Sequence, residues 1–228
     1  MRFRIHLSDL AGIGKVFLLV KDFVQSFENE GIIWKIQVDS YQREIERYGS
    51  EAIELTETLF YKDSTAILSM IDQTEGEERE IIRWQWCLKA IETYLNDFGL
   101  TLIEKKDLME KMKTNFANEF HLDKALKIQL DQRFRNNRTL IERILDDKLN
   151  ENHEYSPLFQ AITDKSEQTK ALIKQIKALK SSDELTNYLY DTIHMTVNRT
   201  ISDNQRVHEL VMYDFLFRYY QAEIAKRK

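Results

Sequence analysis

The sequence predicts an α+β fold, predominantly α-helical, in which a small N-terminal strand-helix-strand unit packs on a multi-helix body. Three observations carry this prediction. Glycine (6) and proline (1) are scarce among 228 residues, which favours long helices joined by short polar turns. Capping boxes recur after about residue 50. The opening residues instead alternate with the period of a strand.

Taken in order, "RFRIHL" sets Phe3, Ile5 and Leu7 on one face and Arg2, Arg4 and His6 on the other, as a half-buried strand requires. Helical spacing follows through Val16, Leu19, Val20, Phe23, Val24 and Phe27, with Gly31 as the stop signal. "IIWKIQVDSY" then places Trp34, Ile36 and Val38 on one face of a second strand. Two strands alone make a poor sheet, so further strands are expected from a partner or from residues beyond this chain. Beyond residue 50, S/T-x-x-E/Q boxes fall at Thr74–Glu77, Thr101–Glu104, Ser181–Glu184 and Ser202–Gln205, and Ser156 precedes Pro157 as a further start. These signals predict helices near 50–71, 77–97, 102–117, 120–148, 157–179, 183–201 and 203–226. The expected organisation is one domain over 1–228, with an α/β portion over 1–48 and a helical body over 49–228.

A formal net charge of −5 argues against direct nucleic-acid binding, which needs a basic footprint. The single cysteine, Cys87, excludes an internal disulfide and reads as a small core residue. No run of about 18 apolar residues marks a membrane span. The first ten residues lack the apolar centre of a secretory signal. A cytoplasmic protein is expected.

Several motifs have plain readings. "GIGK" at 12–15 lacks the spacing and the hydroxyl of a phosphate loop. His121, His153 and His208 stand apart with no metal-ligand spacing, and no G-x-S-x-G anchors a serine hydrolase. The segments "EKKDLMEKMK" and "KQIKALK" read as solvated helix faces. "RFRIH" divides evenly between a bidentate carboxylate grip and an edge strand protected by positive charge. Glu44 and Arg47, three apart, would meet on one local turn. "DTIHMTVNR" lines up Asp191, His194 and Asn198 on one helix face and sends Arg199 to another, beside an apolar stripe of Leu185, Leu189, Ile193 and Val197.

Taken together, "RFRI", "DSYQREIERYGS", "LFYKDS", "IHMTVNR" and "YDFLFRYY" resemble the C-terminal domain of lantibiotic dehydratases, also called the thiopeptide-type bacteriocin biosynthesis domain. The resemblance implies elimination of glutamate from glutamylated serine or threonine of a ribosomally made precursor peptide, giving dehydroalanine or dehydrobutyrine. A separate tRNA-dependent protein would supply the glutamate. It implies His194, Arg4, Glu44 and Arg47 as catalytic residues and Arg2, Tyr48, Asn198 and Arg199 as substrate-binding residues. It also implies that the arginine pair and His194 border a common cavity. No metal and no cofactor are implied. The alternatives from the same scaffold are a [4+2] cycloaddition, as in thiopeptide pyridine synthases, and a non-catalytic peptide-binding remnant. A purely structural helical protein is the reading from composition alone. The family pattern has more sheet, and a histidine, before the Arg-x-Arg pair. The expectation is therefore a domain lacking its N-terminal strands, or half of a split system, whose exposed strand edge is covered by a homodimer or a partner. Tyr48-Gly49-Ser50 stands where the family has Tyr-Gly-Gly.

Overall fold

The computed structural model describes residues 4–76, 78–119, 123–146 and 156–227. Two compact units divide the chain, Met1–Arg43 and Glu44–Lys228.

The first unit holds a 3-10 turn at Leu10–Gly12 and one helix, α1 (Ile13–Asn29). Asp9 caps the turn by accepting from the Ala11 backbone N–H at 3.0 Å, and Gly31 beyond α1 takes the left-handed φ of 71° that favours glycine. The predicted strands do not form: among the described residues there is no strand, and the segments 4–9 and 33–43 run without a ladder. The fold is therefore helical, not α+β, and no strand edge is present there. Alternation records which face a strand could bury, but a strand exists only where a second backbone answers its N–H and C=O groups. The alternating side chains stay exposed instead, Trp34 at 89% and Val38 at 65%.

The second unit runs through α2 (Ile45–Tyr48), α3 (Ile53–Asp72), α4 (Glu78–Asp97), α5 (Leu102–Glu119), α6 (Lys124–Leu145), α7 (Ser156–Ala178), α8 (Ser182–Thr200) and α9 (Gln205–Lys226). Gly49, at φ 85°, lets the chain leave α2 sharply, its N–H bonded to the Ile45 carbonyl at 2.7 Å. Thr101 caps α5 reciprocally: its N–H donates to Glu104 Oε2 at 2.7 Å, and Thr101 Oγ1 accepts from the Glu104 N–H. Ser181 and Glu184 do the same for α8. The Thr74–Glu77 box lies partly outside the described residues. The Ser202–Gln205 box does not form. Ser202 donates to Glu80 at 2.7 Å, and α9 starts after Asn204, which sits in the left-handed region without a side-chain cap.

The α4 helix is the centre of the unit, touching α6, α7, α8 and α9, while α5 lies along α9 and α3 along α7. Trp86, Cys87, Leu88, Ile91 and Leu95 are all buried, and so are the polar side chains of Arg83, Gln85 and Glu92, so α4 is enclosed on most sides. Burying each large apolar side chain stabilises by roughly 1.5–3 kcal/mol. Trp86 is satisfied too, its indole N–H donating to the Leu158 carbonyl at 3.0 Å. The lysines of α5 are not uniformly solvated as predicted. Lys105 is buried against Glu92 at 2.7 Å, because that carboxylate lies on inward-facing α4 and draws the ammonium in. No described helix is long and apolar enough to cross a membrane.

Candidate functional site: two polar faces of helix α8

The apolar stripe of α8 sits in the core as its spacing predicts, with Leu189, Ile193 and Val197 buried and Leu185 partly so. Flanking this stripe are two polar faces. Each is built from residues three or four apart.

The first face carries Asp191, His194 and Asn198. His194 Nδ1 hydrogen-bonds Glu209 Oε1 on α9, and Asn198 Nδ2 donates to His194 Nε2 at 2.9 Å. Glu209 is wholly buried and also accepts from the Tyr213 hydroxyl at 3.1 Å. Burial, reinforced by the Glu209 charge, pushes the Tyr213 phenol well up, so Tyr213 stays a donor. Toward α2, Arg47 bonds Glu44 at 3.1 Å and lies 3.8 Å from Asp191. The Asp191 carboxyl is pushed up by burial, with Glu44 adding to the rise and Arg47 and His194 opposing it. A half-buried carboxylate, an arginine and an imidazole thus share one partly open face.

The second face carries Thr192, Thr196 and Arg199, and it is closed. Asp63 on α3 accepts from Thr196 at 3.1 Å and Arg199 at 3.2 Å, and its other oxygen is bonded by Lys165 of α7. Burial alone would push the Asp63 carboxyl up; Lys165 and Arg199 outweigh it and hold it below the ordinary range. Arg199 also lies 4.2 Å over the Phe60 ring. Thr192 accepts from the buried Tyr94 hydroxyl at 3.0 Å.

Glu44, Arg47, His194 and Asn198 therefore gather on the first face. Arg199 belongs to the second, where its Nη1 donates to Asp63. Tyr48 is core, 2% exposed, edge-on to Phe60 and Tyr188, with its carbonyl held by Lys180 at 2.9 Å. Arg4, in the first unit, stacks on Tyr41 at 4.6 Å. Arg2 lies outside the described residues, as do His121 and His153.

Sequence reasoning missed Glu209, Asp63 and Lys165. A signal existed for the two acids. Asp63 falls in the stripe Thr56–Leu59–Asp63–Ile67–Met70, and Glu209 in Glu209–Tyr213–Leu216–Tyr220, both at helical core spacing. A carboxylate on an apolar stripe needs a buried partner. Lys165 had no such mark.

A helical unit whose carboxylate-held histidine shares a face with an arginine and further carboxylates is suited to moving a proton beside an anion. The comparisons give this class a family: the chain belongs to the lantibiotic biosynthesis dehydratase C-terminal family, whose model matches residues 1–220. Among known proteins it is similar to the subtilin biosynthesis protein SpaB of Bacillus subtilis, 23% identical over 205 residues, covering 86% of this chain and 19% of that protein's length. No solved structure matches.

Proposed function

We propose that the chain acts in lanthipeptide dehydration by eliminating glutamate from glutamylated serine or threonine of a ribosomally made precursor peptide, a separate tRNA-dependent protein supplying the ester. The reading is supported chiefly by one observation: within a chain of this family, His194 and the Glu44–Arg47 pair neighbour Asp191 on the open face of α8, with Asn198 bonded to His194.

The chemistry needs little more. A base takes the Cα proton, the released electron pair forms the Cα=Cβ bond, and the Cβ–O bond breaks with glutamate leaving as a carboxylate. His194 accepts the proton at its ring nitrogen, imidazole being the side chain most often used as a general base. Arg47, exchanging Glu44 for the substrate, neutralises charge developing on the ester.

Incubating the purified chain with a glutamylated precursor and weighing the peptide tests this. Loss of glutamic acid from each ester is expected, reduced roughly 10²–10⁴-fold by His194→Ala. A peptide that binds yet keeps every glutamate rules the reading out.

A further inference from the structure

A histidine that accepts a proton must present a lone pair at a defined nitrogen. On α8 that choice is made from the neighbouring helix. Glu209 Oε1 faces His194 Nδ1, and a carboxylate only accepts, so Nδ1 carries the hydrogen. The lone pair then resides on Nε2, where the Asn198 Nδ2 donor meets it at 2.9 Å. Glu209 is itself held. Tyr213 donates to the same oxygen at 3.1 Å. Its second oxygen is buried without a hydrogen bond, 3.8 Å from Arg206. Arg206 is in turn bonded to Glu119 and lies 4.5 Å over Phe116. A wholly buried carboxylate with one oxygen unfilled is costly. A residue chosen for packing alone at this point of the Tyr213–Leu216–Tyr220 stripe would be apolar.

We infer that Glu209 is a positioning residue. It fixes His194 in the Nδ1–H tautomer and thereby makes Nε2 the proton-accepting atom. Asn198 completes the device. Its amide donates to Nε2 while that atom is bare, and by turning over it offers Oδ1 once Nε2 carries a proton, so one side chain serves both states. Asn198 thus holds the ring between turnovers and yields Nε2 when substrate arrives. This deepens the proposed elimination and rests on that reading for its catalytic meaning, whereas the tautomer itself does not depend on any substrate.

The test is a two-bond proton–nitrogen correlation spectrum of the full chain labelled at histidine nitrogen, with His194 assigned by its loss in His194→Gln. In the parent protein the shifts should place hydrogen on Nδ1 and a bare Nε2. In Glu209→Leu, which removes the acceptor and keeps the volume, hydrogen should move to Nε2. Asn198→Ala should leave it on Nδ1. A parent spectrum with hydrogen on Nε2, or a Glu209→Leu spectrum unchanged from the parent, overturns the inference, and the first of these does not require Glu209→Leu to fold. Elimination assays on the same samples separate the two claims. A Glu209→Leu chain with the parent rate sinks the inference and leaves the elimination reading standing. The expected tautomer exchange, with no glutamate lost by the parent, sinks the elimination reading and leaves the positioning role intact.

Discussion

The two polar faces of α8 present similar residue types and differ in closure. Around Asp63 the carboxylate and Lys165 are nearly inaccessible, with side-chain exposures of 3% and 8%, and Arg199 reaches in at 20%. Around Asp191, Arg47 is 45% exposed and its partner Glu44 40%. An exposed pair contributes about 0–1 kcal/mol. Removing one partner of a buried pair strands a charge and costs about 3–5 kcal/mol. The closed face is therefore committed to the fold, and the open face has charge to spare for a ligand. Arg199 and Arg47, both marked by the family resemblance, are accordingly not equivalent.

The largest effect that would break this contrast is on the closed face. Lys165→Met should lower the free energy of denaturant unfolding by about 3–5 kcal/mol. A loss below about 1 kcal/mol, as for an exposed pair, would show that Asp63 is not a closed cluster.

The second test uses pH, because the two aspartates carry shifts of opposite sign. Asp63 is held low, with Lys165 and Arg199 overcoming burial. Its contribution is complete above the unfolded carboxyl value near ~3.9 and is lost as pH falls through its lower folded value. Asp191 is pushed up by burial. It favours the folded state at low pH, and that advantage disappears as pH rises from ~3.9 through its higher folded value. Asp191→Asn should therefore remove a decline in stability above ~3.9 while the acid-side loss persists. Identical pH profiles for Asp191→Asn and the parent would contradict the assigned shift.

The smallest stability effect belongs to Arg47. Arg47→Ala should change unfolding by no more than about 1 kcal/mol yet slow elimination by roughly 10²–10³-fold. A variant that unfolds markedly more easily would move Arg47 to the structural side of the comparison.

How much of this could be read from sequence follows the range of each signal. Helix α8 was legible because its cap, its stripe and the pairing of His194 with Asn198 are local, all within one element. The Glu44–Arg47 contact was legible for the same reason. What failed depended on partners remote in sequence. The alternation around Ile5 and Trp34 described faces without supplying a second backbone. Glu209, fifteen residues from His194 on another helix, is linked to it only once α8 and α9 fold back on each other. The "LFYKDS" segment was noticed, but nothing in it says that Asp63 meets Lys165, 102 positions away.

Helix α4, hemmed by four others, places the chain's lone sulfhydryl at its middle. Cys87 is wholly buried, and burial, assisted by the charge of Asp63, pushes its thiol up. Alkylating reagents attack the thiolate, so labelling must wait for excursions that loosen the packing around α4. The molecule thus carries its own clock for the breathing of its interior, with no engineered probe required.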